Sequence, residues 1–203
     1  MPKRSALRPR DGSTGEQLIS AVLHLMLDDG ADAVTVGAVA ERADVALRTV
    51  YNHFSSREAL LEAALERIIG EIEAALAAAG IEDGEPDERI RRFVTAAFGE
   101  FDRLGILLTR ILSVRGVPHL ERRLAELNDW RLARIADIVA AAEAGGAARL
   151  GTAQAHALAG ALIGHGSWEA LVQTGGLTGK RAGELLGRSL ANALIRPETS
   201  LQR

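Results

Sequence analysis

Between residues 46 and 58 the chain reads ALRTVYNHFSSRE. Five close neighbours in it, Arg48, Thr49, Tyr51, Asn52 and His53, can each donate a hydrogen bond or stack, and none is acidic. Leu47, Val50 and Phe54 fall at i, i+3 and i+7, the spacing of one helical face. On a helix, Arg48, Thr49 and Asn52 then project from the opposite, wet face. An acid-free polar face of this kind suits a partner that offers acceptors. An ordinary surface helix of a bundle is the plainer alternative, and the neighbouring elements decide between them.

Those elements are helical. Leu18, Val22, Leu25 and Met26 form one stripe over 14–29, and Gly30 is a natural stop. Thr35 can cap a short helix Val36–Arg42 with Val36, Val39 and Ala40 inward, and Ala43-Asp44-Val45 then makes a turn. Ser55 or Ser56 can cap a long helix running to about Ala79, seamed by Leu61, Leu65, Ile68, Ile72 and Leu76. Further helices are predicted at roughly 87–103, 104–115, 119–144, 152–174 and 179–195, punctuated by Gly105, Gly116 with Pro118, Gly145-Gly146 and Gly175-Gly176. No stretch alternates like a strand. The expected fold is all-α with about nine helices. Acidity rises after Leu60: Glu58 to Glu88 holds ten acids against Arg67 alone. That shift suggests domains at 1–60 and 61–203.

Two short helices joined by a tight turn, the second polar on its outer face, form a helix-turn-helix pattern. The first helix braces the second, which enters a major groove roughly 12 Å wide. Arg48, Thr49 and Asn52 fit base reading, and Thr35, Tyr51, His53 and Arg57 fit backbone clamping.

Residues 14 to 65, above all TVGAVAERADVALRTVYNHFSSREALLEAAL, resemble the DNA-binding domain of the tetracycline-repressor (TetR) family of bacterial transcription regulators. The matching positions are Thr35, Val39-Ala40, Ala43, Val45, Thr49, Val50-Tyr51, His53-Phe54, Ser56, Glu58 and Leu60-Leu61. The resemblance implies a cytoplasmic repressor, a homodimer reading a palindromic operator in double-stranded DNA. A small effector in the helical C-terminal domain would release it. By position, Thr35, Tyr51, His53 and Arg57 would contact phosphates, while Ala46, Leu47, Arg48, Thr49 and Asn52 would lie nearest the bases. Asp44 stands where the family usually has glycine, and Ala46 where it commonly has a capping serine worth about 1 kcal/mol.

Beyond residue 70 the likeness is architectural. Phe93, Phe98, Phe101, Leu108, Ile111, Leu112 and Trp130 are candidate linings of a mostly apolar effector pocket, with Arg110, Asn128 or Arg134 as polar anchors. Small residues, Ala153, Ala157, Gly160, Ala161, Gly164 and Ser167, share a stripe of the 152–174 helix. With Trp168 and with Leu186, Leu190 and Leu194 of the last helix, they suit a four-helix dimer interface.

The remaining features bound the reading. Net charge is −3, so indiscriminate nucleic-acid coating is not expected, yet Lys3, Arg4, Arg8 and Arg10 make an acid-free tail. That tail either adds phosphate contacts or is inert. With no cysteine, disulfides and thiolate sites are excluded. No secretory signal is expected. The longest uncharged stretch, Leu150 to Trp168, is interrupted by Gln154, His156 and His165 and reads as a buried helix rather than a membrane span. His165 and Glu169 stand at i, i+4 and open an alternative, a helical metal-dependent enzyme. Two ligands are few for a catalytic zinc, so neither metal, cofactor nor enzyme activity is expected. GGLTGKR lacks the spacing of a phosphate loop. A helical protein-interaction module is the other alternative; it predicts no salt-dependent DNA affinity.

Overall fold

Residues 12–196 are described by a computed structural model, so the basic tail 1–10 lies outside the described residues. Ten α-helices are found among the described residues, and no strand beyond a single bridge, Ala148 with Ile195. They are α1 (Thr14–Asp28), α2 (Val36–Arg42), α3 (Leu47–His53), α4 (Arg57–Ala77), α5 (Pro86–Leu104), α6 (Ile106–Leu112), α7 (Pro118–Ala144), α8 (Thr152–Leu162), α9 (His165–Trp168) and α10 (Gly179–Leu194). The continuous helix expected over 152–174 is broken. Ile163 (φ −102°, ψ 66°) and Gly164 (φ −135°, ψ 164°) leave the helical region, and after α9 the chain continues as a π-helical segment Glu169–Thr174. Ile163 is fully buried there, so its side chain is held while the backbone turns.

The helices cluster into two compact units. The first holds the described residues up to Glu71 together with Arg103–Ala125. Its centre is α1, against which α2 and α6 pack. Leu18, Val22, Leu25 and Met26 are buried, as their stripe predicts, and so is Ser20. Ser13 caps α1 by accepting from the Glu16 amide at 3.3 Å. Ser56, rather than Ser55, caps α4, accepting from the Ala59 amide at 3.2 Å. The predicted α4 seam is buried throughout.

Arginines hold this unit together. Arg67 of α4, its side chain only 4% exposed, donates to Ser20 Oγ at 3.0 Å and pairs with Glu16 and Glu71, each at 3.3 Å. Arg103 reaches the second oxygen of Glu71 at 3.1 Å. Helix α1 ends without a basic residue in its last turn, leaving carbonyls without helical donors. Arg110 of α6 supplies them, donating to Met26 O (2.7 Å) and Leu27 O (2.5 Å).

The second unit comprises Ile72–Asp102 and the described chain from Glu126 onward. Its core runs along Ile90, Phe93, Val94, Ala97 and Phe98 of α5 and Ile135, Ile138 and Val139 of α7. Helix α10 lies unusually close to α5. At Gly183 an added Cβ would meet Thr95 Cα at 2.8 Å and Phe98 Cβ at 3.0 Å; Gly179 and Gly187 repeat the approach one turn either side. These glycines, spaced by four, are a groove cut for another helix's backbone.

Gly183→Val should therefore force the two helices apart and cost about 1–3 kcal/mol, by the usual penalty of overpacking. Urea unfolding of the variant against the parent measures it.

Candidate nucleic-acid interface

Helix α2 is capped by Thr35, whose Oγ1 accepts from the Ala38 amide at 3.1 Å. Its last turn closes by two bonds, Val45 N–H to Ala40 O (3.0 Å) and Asp44 N–H to Glu41 O (3.2 Å). That pair is a Schellman motif, which requires a left-handed residue after the cap. Asp44 occupies that position with φ +54°, the sole described non-glycine residue with positive φ. The turn is thus made with its usual geometry by an unusual residue. Ala46 then begins α3 without any side-chain cap, as its sequence implies.

Of the apolar face read in the sequence, Val50 is fully buried and Phe54 half-buried, but Leu47 is 49% exposed. One turn later Tyr51 is 54% exposed. Ala46, Arg48, Asn52 and His53 are exposed as well, and Thr49 is half-buried. The wet face of α3 is therefore broader than the polar stripe alone, with Leu47 and Tyr51 beside Arg48 and Asn52. No acid lies on it.

Arg57, expected at a phosphate, has inward work. Its Nε donates to Val34 O at 2.7 Å and its Nη2 to Ala31 O at 3.0 Å. It thereby ties the start of α4 to the loop that carries Thr35. A second tie, Arg42 to Asp28 at 2.9 Å, joins α2 to the end of α1. Helix α2 packs on α1, and α3 on α2, so the exposed face of α3 stands on a braced platform.

Residues 18–64 match the family of bacterial regulatory proteins called the tetR family. That match takes in α2, α3 and most of α1, and ends within α4. The HTH-type transcriptional regulator YdeS of Bacillus subtilis is 44% identical over 54 residues, 27% of either chain. The HTH-type transcriptional repressor KstR of Mycolicibacterium smegmatis is 38% identical over 79 residues, 39% of either chain. The match thus spans well under half the length of these relatives. Solved structures extend the likeness in fold. Transcriptional regulator FadR from Bacillus subtilis, in complex with stearoyl-CoA, superposes with a TM-score of 0.71 at 17% identity, covering 87% of this chain and 97% of that one. SmeT in complex with triclosan gives 0.72 at 18% identity, covering 91% and 93%.

The residues expected around an effector are divided between the two units. Leu108, Arg110, Ile111 and Leu112 belong to the first unit; Phe93, Phe98, Phe101, Trp130 and Arg134 belong to the second. Phe93 and Phe98 are sealed in the core, and Arg110 serves the end of α1. Arg134 pairs with Asp137 at 3.1 Å and lies 5.9 Å from the Trp130 ring centre. A groove of about 530 Å³ in the second unit is bordered by Arg91, Arg92, Thr95 and Arg188, and by none of the expected residues. Sequence reasoning passed over Arg131, which lies 5.6 Å from the Phe101 ring centre. One arginine among several on α7 carries no mark in the sequence that separates it from its neighbours.

The expected interface residues divide likewise. Trp168, Leu190 and Leu194 are buried within their own unit, Leu186 and Gly164 are half-buried, and Ala157, Gly160 and Ala161 stand exposed on α8. Leu185 of α10, 40% exposed, was not anticipated. His165 lies 5.3 Å from Trp168, ring centre to ring centre, and burial draws its pKa down against the opposing pull of Glu169. Among the described residues no three His, Asp or Glu side chains gather to hold a metal, and no helix is long and apolar enough to cross a membrane.

Asp44→Gly should raise stability by up to about 1 kcal/mol, since glycine adopts positive φ freely, whereas Asp44→Ala should lower it. Paired thermal melts of the two variants check the sign.

Proposed function

We propose that the chain is a cytoplasmic, sequence-specific transcriptional repressor that grips a palindromic operator as a symmetric dimer. A small, largely apolar effector bound in the second unit would release it. The observation that carries this reading is the acid-free, exposed face of α3, with Leu47, Arg48, Tyr51 and Asn52 on a platform braced by Arg42, Arg57 and Arg110. Arg48 and Asn52 offer donors of the kind that read guanine and adenine edges, and Leu47 offers an apolar contact for a thymine methyl. Tyr51, His53 and the Thr35 hydroxyl suit the flanking phosphates. Arg57 supports the same contacts indirectly, by fixing the loop ahead of α2.

Dimerisation on the open stripe Ala157, Gly160 and Ala161, extended by Leu185, would set the two α3 helices one duplex turn apart. Two fold relatives, FadR and SmeT, are described with stearoyl-CoA and triclosan, each with a large apolar part, which supports an apolar effector here. Release would follow if the effector favours a helix arrangement with another spacing, shifting the population away from the DNA-competent one.

Selection of bound duplexes from a random pool at moderate salt is the test, and a palindrome should emerge. On the selected duplex, Arg48→Ala should lose about 1–3 kcal/mol and relax preference at one position, while Tyr51→Ala should weaken all sequences alike. A monomeric chain that recovers no common sequence would defeat the proposal.

A further inference from the structure

Burying a guanidinium is costly unless a counter-charge and acceptors go with it. Arg67 meets that condition with two carboxylates and a hydroxyl. Arg131, half-buried in the second unit, does not. Its Nη2 donates to Asn128 Oδ1 at 2.8 Å, and its guanidinium carbon stands 5.6 Å from the Phe101 ring centre. Its Nε is buried without a partner, and no carboxylate pairs with it among the described residues. Burial alone pulls its pKa down to about 10.

The surroundings are largely aromatic. Phe101 meets Phe98 edge-on at 5.7 Å and His165 edge-on at 6.5 Å, and His165 lies 5.3 Å from Trp168. The Trp168 indole N–H is a second buried donor with no acceptor. A guanidinium offers up to five donors and no acceptor; an indole offers one donor and no acceptor. Donors without acceptors, one of them cationic, edged by aromatic rings, are the complement of an anion joined to an apolar body.

We propose that Arg131 anchors the anionic head, carboxylate or phosphate, of a small molecule whose apolar body lies along Phe101, His165 and Trp168. This deepens the reading of the second unit as the effector-binding part and rests on it. The chemistry also separates Arg131 from Arg134, whose charge is already met by Asp137.

The chain has two tryptophans, so Trp130→Phe leaves Trp168 as the sole indole reporter. That variant, free of DNA, is titrated with decanoate, decyl phosphate and decanol below their aggregation concentrations, following tryptophan emission. At least one of the two anions should saturate the change at a concentration on the order of 10–100-fold below decanol, the gain expected for hydrogen bonds to a charged group. The tighter of the two names the head group. Adding Arg131→Gln should erase that advantage and leave decanol binding unchanged. Without ligand, Arg131→Met should melt at the parent's temperature or above, because an unmet charge is removed. Equal affinity for decanol, a preference that survives Arg131→Gln, no binding of any of the three, or a marked fall in melting temperature on Arg131→Met would each overturn the proposal. Because no DNA is present, anion binding here alongside failed operator selection would sink only the regulator reading.

Discussion

A cation taken out of water has to be met by charge and acceptors, and Arg67 is where the first unit meets that demand. Desolvating a guanidinium costs several kcal/mol, and removing one partner of a buried pair typically loses about 3–5 kcal/mol. Ser20 and Glu16 on α1, and Glu71 on α4, must therefore stay where Arg67 can reach them. That requirement fixes the register of α1 against α4 more narrowly than their apolar stripes do, because an apolar contact tolerates sliding and a fork of hydrogen bonds does not. Arg103, sharing Glu71, carries the same constraint to the end of α5. Everything that presents α3 is built on α1: α2 packs on it, Arg42 ties to Asp28 at its end, and Arg110 satisfies its last carbonyls.

The local elements of this platform were legible because each is set by a few neighbouring residues. Val36–Arg42 follows from one cap and one apolar spacing, and the turn after it from three residues whose geometry Asp44 can adopt. The α4 seam follows from a period sustained over several turns. Leu47 was not legible in the same way. Its spacing with Val50 and Phe54 assigns it to the inner face, yet the first turn of a seven-residue helix overhangs the edge of what it packs on, and half of Leu47 remains in water. Helical period says which residues share a face; it does not say how far the neighbouring helix extends beneath them. Arg57 escaped for a related reason. A basic residue opening a helix reads as a phosphate contact, but the carbonyls of Ala31 and Val34 that claim it lie more than twenty residues back.

The second unit shows where pattern gives way to shape. Small residues spaced by four occur on both α8 and α10, and the sequence assigns the α8 stripe to an interface between chains. The structure uses the α10 stripe, Gly179, Gly183 and Gly187, to bring α5 within backbone distance, and leaves Ala157, Gly160 and Ala161 of α8 exposed. Both stripes satisfy the same rule, that small side chains permit close approach. Which one is consumed inside the unit depends on three-dimensional neighbours that no spacing encodes. The break at Ile163–Gly164 has the same origin: both residues adopt backbone angles open to any residue, and the buried position of Ile163 accompanies the turn.

Arg67 and Arg131 set two solutions to one electrostatic problem side by side. Where carboxylates are supplied, the guanidinium becomes a fixed part of the fold and the helices around it lose freedom. Where they are withheld, as at half-buried Arg131 beside Phe101, the fold carries a guanidinium that no carboxylate among the described residues meets. An uncompensated cation lowers the stability of the empty state and leaves the state that acquires an anion unpenalised, so the same side chain that weakens the free chain sharpens the difference between free and occupied. A switch needs that difference, because a ligand can shift an equilibrium only by as much as it distinguishes the two states.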